Sequence, residues 1–555
     1  MSKRLILILA LAFVVGISCA AYAEVQNVKV SGDITVMGVG RANLDLAKAP
    51  GSDMNMSQAI NSNWQDKSAD VLSIARIRVD ADLTDNVSTT IRLLSERPWD
   101  GDMGGQNDQG TRPNGNIGLD RGRTSGGGAG TVNLGQGAWT NGNVNVIDLD
   151  LAYVTMKEFL YSPLTLTVGR QLLRFGNGFV IGDPDTNIYS TVTALYEGDL
   201  SARKSFDAVR ATLDYNPLVI DGIYAKIQEN QTNLNDDVTL MGLNAAYDMG
   251  RNTTLEGYFF SKVRGSQGEG VWNLDGNAQF TKAPLAGNAE NKNKSDQVNT
   301  IGLRAVNKSV KNLTIDAQGA YQFGTYNPRF DPNARMNVAN PAVIPGSAAG
   351  NEGDLAKTAA RSAFAFQVEA AYDLKDVAAA VAKYSPFVSA NYTYLSGANR
   401  DRTGDKYYAG WDPMFEDQTY GHLMNAIMAQ TNMHRLALSG KAKLTDDIGL
   451  KLDYVTAMFA KRYPEGRLAV LSGVADANTT ARVFRMGKSN YIGQEIDATL
   501  TYDYTEDVQF ALMGGVFMPG RSINDGYQVD TADDGGRWPH KTSASELIGS
   551  MKVSF

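Results

Sequence analysis

The last ten residues read Glu546-Leu547-Ile548-Gly549-Ser550-Met551-Lys552-Val553-Ser554-Phe555. In an extended chain Leu547, Gly549, Met551, Val553 and Phe555 fall on one face, and Glu546, Ile548, Ser550, Lys552 and Ser554 on the other. Successive side chains of a strand point to opposite sides, so this segment presents an apolar face and a mostly polar one up to a terminal aromatic. A soluble edge strand can alternate too, but it rarely ends a chain on Phe.

The same period recurs upstream. Ala75, Ile77, Val79, Ala81 and Leu83 alternate with Arg76, Arg78, Asp80 and Asp82. Leu313, Ile315, Ala317, Gly319, Tyr321 and Phe323 do so with Asp316, Gln318 and Gln322, and Ile496, Ala498, Leu500 and Tyr502 with Asp497, Thr499, Thr501 and Asp503. About ten residues of such alternation is the length a tilted strand needs to cross a bilayer. Strands are expected to begin near Val28, Val71, Val87, Val146, Pro163, Phe206, Pro217, Val238, Asn252, Val298, Lys311, Arg361, Tyr384, Met433, Ile448, Tyr491, Val508 and Ala544. That makes about eighteen, an even number, which leaves both chain ends on one side.

Short turns at 84–86, 215–217, 250–251, 445–447 and 505–507 alternate with long polar segments around 41–70, 98–145, 176–205, 265–297, 325–360, 397–432, 462–489 and 520–543. Only the connection near 230–237 is short for its place. Periplasmic turns and extracellular loops produce this alternation, whereas a soluble sandwich has no reason to segregate its long loops. In hydrocarbon an open sheet edge would strand unpaired backbone groups, each costing several kcal/mol, so the first and last strands must pair. The expected fold class is all-β: a closed antiparallel transmembrane β-barrel with a lumen that holds water unless loops constrict it.

Ahead of the barrel, Lys3 and Arg4 precede the apolar run 5–15, and Ala21-Tyr22-Ala23 supplies the small residues of a cleavage site. A signal peptide over 1–23 and a barrel over 24–555 are the expected organisation. The only cysteine, Cys19, falls in the signal, which removes disulfides, thiolate metal sites and a cysteine nucleophile from the predicted mature chain. The formal net charge is −8 and becomes more negative once Lys3 and Arg4 are lost. That balance disfavours nucleic acid as a partner. Mean hydropathy is −0.26, which does not discriminate, because half of each barrel strand faces a wet lumen.

The alternation assigns Arg76, Arg78, Arg92, Arg210, Arg304, Arg435, Lys441, Lys443 and Lys451 to the inner face, with acidic residues that include Asp80, Asp82, Asp148, Asp150, Asp214, Asp316, Glu369, Asp453, Glu495 and Asp497. Guanidinium groups suit carboxylate or phosphate, so the set favours an anionic solute. For any single residue, pairing with a neighbouring strand's acid is the commoner role. Trp64, Trp99, Trp139, Trp272, Trp411 and Trp538 all fall in long segments, where loop packing or an interfacial belt is favoured over sugar stacking. Phe175, Tyr215, Tyr247, Tyr372, Tyr394 and Tyr504 fit two aromatic girdles.

Chemistry is sparse. The glycine-rich stretch 176–182 lacks a βαβ context. The carboxylates Asp525, Asp530, Asp533 and Asp534 lack EF-hand spacing. The histidines His422, His434 and His540 offer no triad spacing. No catalytic residue, metal set or cofactor is expected, and the chain reads as a non-enzyme.

Two motifs carry a resemblance. Leu166-Thr167-Val168-Gly169-Arg170-Gln171, followed by Phe175-Gly176 and Gly182, resembles the Gly-Arg-Gln strand and glycine-rich loop of alginate-export-type outer-membrane porins. Gly493-Gln494-Glu495-Ile496-Asp497, continuing through Tyr502 to Phe517-Met518-Pro519-Gly520, is the second match. The resemblance implies an eighteen-strand barrel with a charged channel. It places Arg170 and Gln171 at the constriction with Arg174 nearby, and Glu495 and Asp497 on the inner wall. Phe179-Val180 departs from the Arg-Leu pair common in the family, and no long periplasmic turn stands ready as a plug, the longest being 374–383.

The expected function is passive passage of a hydrophilic, anionic or polysaccharide solute across the outer membrane. Expected partners are outer-membrane lipid and lipopolysaccharide, and the barrel-assembly machinery, reached through the terminal strand ending at Phe555. The alternative is a surface receptor or adhesion barrel whose long loops, such as 101–140, bind a ligand.

Overall fold

The computed structural model describes residues 27–44, 46, 67–99, 147–184, 198–228, 237–265, 271–274, 280–283, 295–327, 358–377, 379–398, 407–465, 468–471, 483–525 and 541–555. Eighteen antiparallel strands form the wall, numbered here without the small loop strands. They are β1 (Asn27–Ala42), β2 (Lys67–Thr84), β3 (Val87–Pro98), β4 (Asp148–Met156), β5 (Leu164–Leu172), β6 (Ser205–Asp214), β7 (Leu218–Gln228), β8 (Val238–Met249) and β9 (Thr253–Arg264). The second half is β10 (Asp296–Asn307), β11 (Leu313–Tyr326), β12 (Ala359–Asp373), β13 (Phe387–Leu395), β14 (Met433–Lys443), β15 (Ile448–Phe459), β16 (Tyr491–Asp503), β17 (Val508–Pro519) and β18 (Ala544–Ser554). Each pairs with the next, and β18 returns to β1.

The closing seam runs from Asp33↔Ser554 to Ala42↔Ser545. It ends where Gly32 and Phe555 exchange backbone hydrogen bonds of 2.8 and 2.9 Å. A Cβ at Gly32 would stand 2.5 Å from the Arg76 carbonyl and 2.7 Å from the Phe555 ring, so this position has no room for a side chain. With the seam made, no strand edge faces lipid, which is the condition for a sheet to span hydrocarbon.

Alternation sorts the two faces. Ile77, Ile91, Leu243, Leu303, Phe366, Leu438, Leu452, Ile496 and Leu547 are exposed on the outside. Their neighbours Leu94, Gln367, Ala437, Val455, Glu495 and Ile548 are buried inside. The outward aromatics cluster in rows. Phe364 lies 5.2 Å from Tyr394, Phe366 5.7 Å from Tyr392, and Tyr504 6.3 Å from Phe510. These rows fit interfacial girdles. Phe175 is the exception to the girdle assignment. It turns into the lumen against Phe260 at 5.3 Å, because the chain has left the strand by then.

The interior is not simply water-filled. Segments 173–184 after β5 and 407–432 between β13 and β14 fold inward and join. Phe415 N–H donates to the Val180 carbonyl at 3.0 Å, Gly182 N–H to the Phe415 carbonyl at 2.7 Å, and Asp417 N–H to the Gly178 carbonyl at 2.8 Å. Leu173, Phe179, Ile181, Trp411, Met414, Phe415 and Met424 pack with inward wall residues such as Phe206, Phe260 and Phe517 into one buried cluster. Trp411, 5.7 Å from the Phe179 ring, thus packs this core rather than a belt. Trp99 follows β3 exposed, and Trp272 sits in a small hairpin, 271–274 with 280–283. Trp64, Trp139 and Trp538 lie outside the described residues, as do the expected signal peptide and the loop 101–140.

Candidate constriction and lumen wall

Inner-face arginines project from strands whose other face is fixed by lipid-facing aliphatics, and they meet acids on adjacent strands. Arg76 Nε donates to Asp33 at 2.9 Å, Arg92 to Asp150 at 2.6 Å and Arg210 to Asp221 at 2.7 Å. Arg78 pairs with Asp80 at 2.7 Å on its own strand. Arg304 bridges Glu256 (3.1 Å) and Asp316 (2.8 Å). Lys451 pairs with Asp453 at 2.7 Å. Asp82, Lys441 and Lys443 stand exposed at the short-turn end of the barrel, and none forms an ion pair among the described residues. The Lys441 ammonium lies 5.8 Å from the Phe387 ring.

Five expected positions differ. Adjacent residues of a strand point to opposite sides, and β5 turns Gln171 inward and Arg170 outward, level with the exposed Val168 and Leu172. Arg170 meets Asp207 at 3.0 Å on that outer face. Gln171 is buried, and its amide donates to the Ala208 carbonyl at 2.9 Å, so neither side chain lines the constriction. Arg435, Glu495 and Asp497 do lie inside, but at 1%, 0% and 1% exposure they are covered by segment 407–432. The Arg435 guanidinium sits 4.1 Å from the Tyr420 ring centre and donates to Thr393 at 3.0 Å. Glu495 accepts the Leu423 and Met424 N–H groups, both at 2.7 Å. It thereby caps α1 (His422–Ile427), whose first-turn N–H groups lack intrahelical partners.

The two inward segments carry the remaining polar groups. Asn177 reaches the opposite wall, where its amide donates to Gln367 at 2.9 Å and its carbonyl accepts from Gln318 at 2.8 Å. The Asp412 carboxylate accepts from Lys262 at 2.6 Å, and Gln322 exchanges hydrogen bonds of 2.6 and 2.8 Å with the Asp412 backbone. Burial would raise the Asp412 acid, but the nearby Lys262 and Arg361 charges outweigh it and hold it below the usual carboxylate range. Glu416 is pushed up to about 7, because burial dominates the opposing Gln418 N–H and Arg435 charge.

Where the segments meet, Arg174 and Lys204 converge on Asp417. Lys204 also faces Asp183 at 3.5 Å. The cation side chains are 49% and 37% exposed, against 16% for Asp417 and 21% for Asp183. Arg174 was legible only through the family resemblance. Lys204, Asp183, Asp417 and Asn177 were not legible, since contacts between loops leave no periodic signature. His434 bonds Tyr392 at 2.8 Å on the outer face, His422 opens α1, and His540 lies outside the described residues.

Among solved structures the chain is similar to Pseudomonas aeruginosa OccK11 (OpdR), at 10% identity and a TM-score of 0.46, covering 96% of this chain and 97% of that one. It is also similar to P. aeruginosa OccK2 (OpdF) in complex with glucuronate, at 8% identity and TM-score 0.43, covering 96% and 99%. OmpT of Vibrio cholerae gives 9% identity and TM-score 0.35, covering 96% and 100%. No curated protein sequence matches. The family model described as alginate export matches residues 65–534. An eighteen-strand closed wall, an inner face of paired charges and a family match across most of its length make this chain an outer-membrane β-barrel channel belonging to the alginate export family.

Proposed function

We propose that the barrel passively passes a hydrophilic, anionic solute, of the uronate or acidic-polysaccharide class, past the Arg174–Lys204–Asp183–Asp417 cluster. The observation that carries this reading is the unequal exposure of the cluster: its cation side chains are more exposed than the acids they pair with. Elsewhere on the wall the arginines are neutralised by neighbouring acids, so local field rather than net lumen charge selects the solute. The alginate export description of the family, and the glucuronate named with OccK2, are consistent with such a solute. Export through the inner membrane, with loss of residues 1–23, belongs to the same reading.

The test is the reversal potential of the purified barrel in a planar bilayer under a KCl gradient. The wild type is expected to favour chloride. Arg174→Gln combined with Lys204→Gln should lower the chloride-to-potassium permeability ratio severalfold. Cation preference in the wild type, or a double variant of unchanged selectivity, would refute the anion reading.

A further inference from the structure

Three inward carboxylates meet near the loop end of the barrel where no solute contact is needed to explain them. Glu495 and Asp497 come from β16 and Glu546 from β18, and one ligand oxygen of each lies within 4.8 Å of the others. The strand between them, β17, contributes Gly515, paired on one side with Asp497 and on the other with Glu546. A Cβ there would stand 2.4 Å from Asp497 Oδ1 and 3.3 Å from Glu546 Oε1. The missing side chain is what lets the two carboxylates lean together across an intervening strand.

Their partners are incomplete in a way that points to a cation. Asp497 is 1% exposed, and neither of its oxygens is met by a well-formed hydrogen bond, although the His422 N–H and the Glu495 carboxyl lie beside it. Glu546 gives Oε2 to Arg41 at 3.1 Å, while its buried Oε1 accepts nothing. Glu495 receives the two α1 N–H groups and lies against the Asp497 carboxyl. Arg41, itself shared with Asp199 at 2.7 Å, is the one cation ion-paired to the trio among the described residues. When ionised, three buried carboxylates beside a single shared guanidinium leave negative charge uncompensated, and an unpaired buried charge is among the costliest features a fold can carry.

We infer that Glu495, Asp497 and Glu546 form a calcium site that fastens the constriction segment to the barrel wall. The donors are all carboxylate oxygens, which suits a hard cation; no thiolate and no imidazole within the trio favours zinc. Calcium accepts six to eight oxygens in irregular geometry, with water completing the shell. Magnesium demands a near-octahedral set and gives up its water reluctantly. Asp497 can bind through both oxygens, Glu546 through Oε1, and Glu495 through lone pairs left over from its bonds to α1. Because Glu495 also holds Leu423 and Met424, the ion couples wall strands β16 and β18 to segment 407–432.

The full barrel, refolded in detergent free of lipopolysaccharide, is stripped with EDTA and titrated with CaCl₂, following heat and melting temperature. One calcium per chain is expected, with a melting temperature a few degrees higher when the ion is in large excess over Kd. Asp497→Asn, nearly isosteric, should keep the folded barrel and weaken calcium binding at least tenfold. Magnesium should bind more weakly than calcium. A wild type that takes up no calcium, as a proton shared between Glu495 and Asp497 would produce, overturns the assignment. So does an Asp497→Asn barrel that binds calcium as the wild type does. If Asp497→Asn fails to fold, the wild-type melting shift alone decides: saturable elevation by calcium but not by sodium of equal ionic strength supports the site, and no elevation overturns it.

Discussion

Single residues at the meeting of the inward segments set how the pore is expected to behave. Asp417 holds both Arg174 and Lys204, so Asp417→Asn should release Arg174, leave Lys204 with Asp183 alone, and raise chloride preference in bilayer recordings, the opposite of the change expected from removing the cations. Desolvation in the half-buried site pushes Glu416 up to about 7. A carboxyl whose folded value is raised costs the folded state nothing below about 4.5 and progressively more as pH rises to about 7, after which the penalty is constant. The melting temperature should therefore fall between pH 5 and pH 8, and Glu416→Gln, which can still accept the Gln418 N–H, should flatten that fall. On the wall, Arg304 is shared by Glu256 and Asp316. Arg304→Met should cost about 3 kcal/mol by leaving the buried Glu256 and the half-buried Asp316 together, read as a lower denaturation midpoint. At this scale the sequence was a partial guide. Alternation assigned Arg76, Arg92, Arg210 and Arg304 to one face, and in the structure each pairs with an acid on a neighbouring strand. A strand cannot turn Arg170 and Gln171 the same way, however, and the lipid-facing Val168 and Leu172 decide the phase.

At the level of elements, the strands were legible because half of every strand must satisfy lipid, and that demand writes a two-residue period into the chain. Val87, Val238, Met433, Ile448, Tyr491, Val508 and Ala544 begin strands in the structure as the period indicates, and Lys67 begins β2 four residues ahead of Val71. The seam between β1 and β18 is tightly constrained, since Gly32 has backbone and the Phe555 ring in the way of any side chain. Gly32→Val should prevent closure, seen as loss of the heat-modifiable folded band on electrophoresis. The inward segments were read as surface loops, because long polar connections usually are. Their apolar residues, Phe179, Val180, Ile181, Trp411, Met414 and Phe415, have no strand period. They bury themselves only because a wide barrel leaves room inside. Trp411→Ala should open a cavity worth about 3–5 kcal/mol of segment docking and expose 407–432 to protease while the barrel stays intact.

For the whole molecule, closure by eighteen strands follows from the chain's own punctuation of short turns and long loops, and the family match agrees with it. What the punctuation does not carry is the state of the lumen, which depends on two segments more than two hundred residues apart meeting through Val180 and Phe415. The account's central claim is that this barrel conducts, and that segments 173–184 and 407–432 set how much. Single-channel recording of the purified barrel in a planar bilayer tests it most directly, alongside a variant with 410–428 replaced by a short glycine-serine linker. The account predicts discrete conductance steps in the wild type and steps severalfold larger in the variant; a membrane silent with both proteins, or steps of equal size, would contradict it.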